Sequence, residues 1–251
     1  MTQAPDCTFE EFMAVLLSRE VRDFETSACG ALSFIPAMAL LLAEASHAPN
    51  GDFIILDSPA YNPFVGPKDF HYLAQRGQLD LFFISAIQID RHADFNLHLI
   101  GDPDAPDVRM PGQYGTGLLY YAVPRIVLFR TRHDRRTFVA KVDFVSASAS
   151  SPKGMARRNK EVVVITPMAR MELSRESGLL ELASVHPGYT LEQVQENTGF
   201  ELVFSGKSEG EARVTPFVTE EELTVLRTVV KQRMIETDTY GDMARSKIRD
   251  P

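Results

Sequence analysis

The stretch "DFIILDSPAYNPF", residues 52–64, decides how the chain is read. Phe53, Ile54, Ile55 and Leu56 are apolar without alternation. That is the pattern of a strand covered on both faces, and so of a parallel sheet. Asp57 follows at once, and Ser58-Pro59 ends the run. In open α/β sheets ligands bind outside the carboxyl ends of the strands. An acid placed there can act as base or nucleophile. Asp-Ser-Pro is also good turn chemistry, so spacing alone leaves both roles open for Asp57.

The flanking sequence supports this frame. Residues 79–90, 125–130, 137–145 and 161–167 are further apolar, β-rich runs that read as strands. Thr8 with Glu11 has capping-box spacing ahead of a helical period, which predicts a helix over residues 8–22. "FIPAMALLLAEAS" reads as a buried helix opening near Pro36. Thr190 with Gln193 and Thr219 with Glu222 repeat the capping spacing and start two late helices. Helices and strands interleave, so the class is α/β, with an open, largely parallel sheet. "RMELS" and "LLELASVHP" add mixed or antiparallel strands in the second half. No repeat or linker divides residues 1–251, which read as a single domain with a core over about 8–233. Residues 146–160 are small, polar and basic and read as a mobile loop, and 234–251 as a polar tail.

Composition narrows the function. The chain is 44% hydrophobic, enough for a sizeable core. Its net charge of −8 argues against a general nucleic-acid binder. Cys7 and Cys29 are too few for a disulfide framework and too far apart for a local metal knuckle, so a reduced, cytoplasmic setting is expected. The N-terminus carries acids rather than a positive leader, and the longest apolar run, residues 34–45, falls short of the ~20 residues a membrane span requires. The chain reads as soluble, with no membrane partner.

Several constellations could carry chemistry. In "QIDRHADFNLHL", His92, Asp94, Asn96 and His98 alternate and would share one face of a strand. They would stretch over ~20 Å, too far for one ion, so no metal site is expected, and a polar turn with substrate-facing groups is the preferred reading. "RTRHDRR", residues 130–136, is either a phosphate-binding cluster or a solvated hairpin tip. "MPGQYGTG", residues 110–117, holds three glycines, which let backbone amides approach an anion or oxyanion. "SGKS" at 205–208 is rejected as a phosphate loop, because Glu201 stands where its leading glycine belongs. H-E-x-x-H does not occur.

Taken together, "IILDSP", "ISAIQIDRHADFN", "RMPGQYGTG", "RHDRRTFVAKVDFVS" and "VQENTGFEL" resemble, in order and spacing, the beta (small) subunits of class I CoA-transferases. The resemblance is to the glutaconate CoA-transferase subunits, and also to the small subunit of a steroid-ring-opening acyl-CoA hydrolase. It covers roughly residues 8–231. It implies an alpha-subunit partner, in a heterodimer or an alpha2beta2 heterotetramer. It also implies acyl-CoA or coenzyme A as substrate, with no permanently bound cofactor. A stand-alone phosphosugar isomerase of related sheet architecture is disfavoured, because "ENTGFEL" and the C-terminal half have no place in it.

The family's catalytic glutamate attacks the thioester, and CoA passes to a second carboxylate by ping-pong exchange. Its position here is Asp57. The resemblance further implies a thioester-oxyanion loop at Gly112, Gln113 and Gly115. Pocket positions fall at Pro36, Gln88, Asp90 and Asn96, and CoA-phosphate contacts at Arg130, Arg135 and Arg136. Three departures stand out. Aspartate is one methylene, about 1.5 Å, shorter than glutamate, and a misplacement of ~1 Å can cost ~100-fold. Leu32 and Phe34 replace small residues in the loop before the second helix, and Tyr114 interrupts the glycine run. The alternatives are therefore a subunit of an acyl-CoA C–C hydrolase with its catalytic acid on the alpha subunit, or a non-catalytic partner.

Overall fold

The structure is a computed structural model that describes residues 6–204 and 213–251. The "SGKS" stretch lies outside the described residues. The chain folds as two compact units, Met1–Phe83 with Phe217–Pro251, and Ile84–Pro216.

In the first unit the capping box forms as expected. Thr8 Oγ1 accepts the Glu11 amide, and Glu11 returns a carboxylate to the Thr8 N–H. This opens α1 (Phe9–Ser18), shorter than the expected 8–22. Next come β1 (Thr26–Cys29), α2 (Phe34–Ala45) and β2 (Asp52–Ile55). The uniformly apolar α2 is buried from Phe34 to Ala43, as its lack of a polar face requires. Then α3 (Pro67–Arg76) opens on a proline and closes on Gly77 at φ +75°. β3 (Leu81–Ser85) follows, and β1 runs parallel between β2 and β3.

The second unit starts with two short ladders, β4 (Gln88–Ile89) with β5 (Phe95–Asn96), and β6 (Leu99–Asp102) with β7 (Ala105–Arg109). The single strand expected over 79–90 is therefore broken between β3 and β4. α4 (Thr116–Ala122) leads into β8 (Arg125–Phe129), which pairs parallel with β9 (Glu161–Ile165). β9, β10 (Ala169–Leu173) and β11 (Leu180–Val185) are antiparallel neighbours. These are the mixed strands expected in the second half. α5 (Leu191–Glu196) opens on the Thr190–Gln193 box, and β12 (Val203–Phe204) and β13 (Arg213–Val214) both run parallel to β11.

The chain then completes the first unit with α6 (Glu220–Val225), a π-turn (Leu226–Val230), α7 (Lys231–Glu236) and α8 (Gly241–Lys247). The Thr219–Glu222 box opens α6. Glu11, with no exposed side-chain surface, receives the Arg227 guanidinium at 3.0 Å and so ties α1 to this segment. Residues 234–251, read from sequence as a polar tail, bury Met234, Thr239, Ala244 and Ile248.

One expected strand does not form. Residues 137–145 make only an isolated bridge, Phe138 to Ile89. The amides of Thr137 and Phe138 turn back to the Asp134 carbonyl, and the Phe138 carbonyl accepts the Gly199 amide. Local turn bonds and one long-range partner thus outcompete the β-propensity of Thr137, Phe138 and Val139. The 146–160 segment is anchored at several points. The Ala149 amide donates to Asp94 at 3.0 Å, Arg157 Nη2 donates to the Tyr120 carbonyl at 2.7 Å, and Asn159 is buried.

Candidate functional site

Parallel pairing of β1 with β2 sets Cys29 beside Ile55, so both strands end together. The residues just beyond those ends meet. From the β2 end Asp57 emerges exposed to solvent. From the β1 end the loop turns at Leu32, whose φ of +55° is left-handed, and its N–H donates to Asp57 Oδ2. A third segment joins them: the Tyr240 hydroxyl donates to the same Oδ2 at 3.1 Å and accepts the Ser33 amide at 2.8 Å. Among the described residues Oδ1 accepts no hydrogen bond, and no cation pairs with the carboxylate. Burial, reinforced by the Asp57 charge, pushes the Tyr240 phenol well above its ordinary range. The hydroxyl therefore stays a donor. The same two causes push up the Cys29 thiol, fully buried at the end of β1, and keep it a thiol rather than a thiolate.

Tyr240 is itself held in place. Its ring meets Phe34 edge-on at 6.0 Å, and the preceding Thr239 shares a buried 2.5 Å hydroxyl contact with Ser58, the neighbour of Asp57. Pro36 lies in the first turn of α2, where a missing N–H costs nothing. It is buried and shapes the start of that helix without meeting Asp57 through any hydrogen bond.

The other expected residues lie in the second unit. Asn96 Nδ2 donates to Gln88 Oε1 at 2.8 Å, and Gln88 Nε2 donates to Asp143 Oδ2 at 3.0 Å. Asn96 Oδ1 accepts the His98 amide at 2.9 Å. Asp90 accepts the amides of His92 and Asp94 in a turn that places Ala93 at φ +58°. Burial raises the Asp90 carboxyl despite these donors. Asp90 thus acts on backbone, and Gln88 and Asn96 on each other, on backbone and on Asp143. His92, Asp94, Asn96 and His98 do not share one strand face, because this turn and the two-residue β5 stand in place of a continuous strand. Among the described residues no group of three or more His, Cys, Asp or Glu side chains could hold a metal ion.

The side chain that this network presents is His98. Its Nδ1 lies 2.5 Å from Ser146 Oγ, which also accepts the Leu97 amide. Its Nε2 faces Gly112, where a Cβ would lie 3.8 Å away. Gly112 (φ +99°), Tyr114 (φ +41°) and Gly115 (φ +78°) give the loop its left-handed turns. Among the described residues the amides of Gly112, Gln113 and Gly115 reach no acceptor. The Gln113 side chain packs toward Gly117, with Oε1 buried and without a partner among the described residues.

The three arginines do not converge on one point through shared partners. Arg130 is half-buried, and burial lowers its guanidinium below the usual range. Arg135 Nε is committed to the Glu196 carbonyl at 2.8 Å, and Arg136 is exposed. Tyr240 is a residue that the sequence reading did not consider, and His98 one that it named in a constellation without a role. Tyr240 carries no local signal because its partners lie more than 180 positions away. His98 had one, its place two residues after Asn96.

Residues 59–197, more than half of the chain, match the family model described as coenzyme A transferase. The B-type subunit of the 3-oxoadipate CoA-transferase of Pseudomonas knackmussii is 33% identical over 164 residues, 63% of this chain and 61% of the relative. That alignment falls short of two thirds of the relative's length. The B-type subunit of the glutaconate CoA-transferase of Acidaminococcus fermentans is 26% identical over 245 residues, 84% of this chain and 90% of the relative. The IpdB subunit of a cholesterol ring-cleaving hydrolase of Rhodococcus jostii is 30% identical over 156 residues, 61% of this chain and 60% of the relative. The crystal structure of IpdAB from that organism matches at a TM-score of 0.77 and 22% identity, covering 98% of this chain and 100% of the solved one. The strand-end acid, the glycine loop and the "ENTGFEL" segment are thus elements of a chain that belongs to the coenzyme A transferase family.

Proposed function

We propose that this chain is the beta subunit of a cytoplasmic, heteromeric CoA-transferase, that it works with an alpha-type subunit on an acyl-CoA thioester, and that Asp57 is its acyl acceptor. One observation carries the reading. Asp57 stands exposed at the end of β2 with Oδ2 tethered by two donors and Oδ1 open. Oδ1 attacks the thioester carbonyl carbon, the C–S bond breaks, and CoA leaves as the thiolate, giving an acyl-aspartyl anhydride. The thiolate then attacks the Asp57 carbonyl, releases the acyl group as a carboxylate and leaves an enzyme–CoA thioester. A second carboxylate reverses both steps and leaves as the new acyl-CoA. Acyl-CoA is the substrate, and the reading needs no permanently bound cofactor and no metal.

In the second unit the unpaired amides of Gly112, Gln113 and Gly115 are the donors suited to a developing oxyanion. Asn96, braced by Gln88, holds the turn that carries His98 towards Gly112, and Asp90 holds the turn before it. Arg130, Arg135 and Arg136 are the cations offered to CoA phosphates, and of Arg135 only the Nε is engaged, by the Glu196 carbonyl. The test uses the complex with its alpha-type subunit, incubated with glutaconyl-CoA or 3-oxoadipyl-CoA and trapped with borohydride or hydroxylamine. The expected result is a covalent adduct mapped to Asp57. Turnover without any adduct at Asp57 removes this chain from the transfer step.

A second reading is a subunit of an acyl-CoA C–C hydrolase that opens the ring of a steroid-derived CoA ester, with the catalytic acid on the alpha subunit. The shorter acid and the bulky Leu32 and Tyr114 favour it, and one relative carries that kind of name. His98 adds to it: Nε2 is open beside Gly112 and Nδ1 is held by Ser146, an arrangement that suits proton transfer from water. Supplying a diketo-ring CoA ester and following water-dependent product formation separates the two. Ring opening without CoA exchange selects the hydrolase.

A further inference from the structure

We infer that Tyr240 is a positioning residue for Asp57, and that the segment between α7 and α8 belongs to the reactive centre of the first unit. The inference rests on the reading of Asp57 as acyl acceptor. The phenol oxygen accepts the Ser33 amide at 2.8 Å, so its own proton is directed to Asp57 Oδ2 at 3.1 Å. The Leu32 N–H meets the same oxygen. Two donors on one oxygen fix the carboxylate plane and leave Oδ1 as the attacking atom. This arrangement suits an aspartate in particular. A short side chain has few rotamers with which to find its target, and orienting it recovers part of what the missing methylene loses in reach.

The segment is built to hold that phenol. Tyr240 adopts φ +58°, a costly backbone for a residue other than glycine. Thr239 is fully buried and bonded to Ser58, and the Tyr240 ring meets Phe34 edge-on. The strained residue is thus bracketed by contacts on both sides, each reaching an element that flanks Asp57. Strain of this kind persists where surrounding contacts over-determine it, and it gathers at sites of function.

Tyr240→Phe keeps the ring and removes only the hydroxyl. In the complex with the alpha-type subunit, using glutaconyl-CoA or 3-oxoadipyl-CoA as probe, the rate of adduct formation at Asp57 and kcat should fall about 10- to 100-fold. KM and assembly should be unchanged. Thr239→Val, which loosens the segment and leaves the phenol in place, should give a smaller loss in the same direction. A Tyr240→Phe complex that forms the adduct within twofold of the parent rate overturns the inference while leaving Asp57 as acceptor. A parent complex that turns over with no adduct at Asp57 overturns both. A parallel rise in KM together with lost assembly would mark a structural role and also overturn it.

Discussion

Gly199 and Phe138 are joined by backbone alone: the Gly199 N–H donates to the Phe138 carbonyl at 2.8 Å, and a Cβ on Gly199 would overlap that same oxygen. The glycine in "ENTGFEL" is therefore required by close approach, not by chemistry at a substrate. Beside it Thr198 Oγ1 lies 2.9 Å from His133 Nε2, and His133 stacks on Phe138 at 4.3 Å. The "ENTGFEL" part of the sequence resemblance thus fastens α5 to the 133–138 turn. Gly199→Ala should destabilise the second unit by about 1–3 kcal/mol, the usual cost of overpacking. Chemical denaturation of the purified chain measures it, and an unchanged midpoint would show that the contact can open without cost.

His133 makes this region sensitive to acid. It is buried between the hydroxyls of Thr166 and Thr198, and burial pushes its pKa down from 6.5 to about 4. The unfolded chain binds the proton more readily than the folded one, so the neutral imidazole contributes fully above pH 6.5. That contribution is lost as pH falls from 6.5 towards 4 and does not return below it. The melting temperature should decline across this window. In His133→Asn the decline should be shallower, although the variant is less stable at neutral pH. Melting curves at half-unit pH intervals decide the point.

In the first unit the buried Glu11 pairs with the half-buried Arg227. Burial alone would raise the Glu11 carboxyl, but Arg227 and the amides of Thr8 and Arg249 outweigh it and hold it below the usual range. Removing Arg227 leaves the Glu11 charge buried without its cation. Arg227→Met alone should cost about 3 kcal/mol or more, whereas adding Glu11→Met should recover part of that loss, less what the Thr8 and Arg249 amides lose. Urea titrations of both single variants and the double variant form a double-mutant cycle. Additive losses would mean that solvent reaches the pair.

The capping boxes at Thr8, Thr190 and Thr219, the unalternated strands and the buried α2 were legible because each is a local pattern. α3 was not read, because its mean polarity hides it although Pro67 and Gly77 mark its ends. The strand expected over 137–145 failed because Asp134 and Gly199, neither inside the stretch, capture its backbone. At the candidate site Asp57 could be read from β2 alone. The tether on it could not, since Leu32 lies 25 positions away and Tyr240 lies 183. Polar composition around Tyr240 says nothing of a phenol that is used once, at long range.

Leu32 and Asp57 give the sharpest test of how the short acid works. Leu32 is 90% exposed at a left-handed φ that costs a non-glycine residue about 1–2 kcal/mol. Glycine there would lose about 0.5–1 kcal/mol through its freer unfolded chain, so Leu32→Gly should be stability-neutral or slightly stabilising. A side chain kept there against that balance points to use, and the variant should lose discrimination between acyl groups while still forming the Asp57 adduct. Asp57→Glu adds ~1.5 Å of reach and pushes the carboxylate past the Leu32 and Tyr240 donors. In the otherwise unchanged chain it should lower adduct formation about 100-fold. Combined with Leu32→Gly, which lets the loop move, it should recover part of that rate. Adduct rates for the single and double variants check this directly. A glutamate that works as well as the aspartate without help from position 32 would show that the tether does not set the geometry of attack.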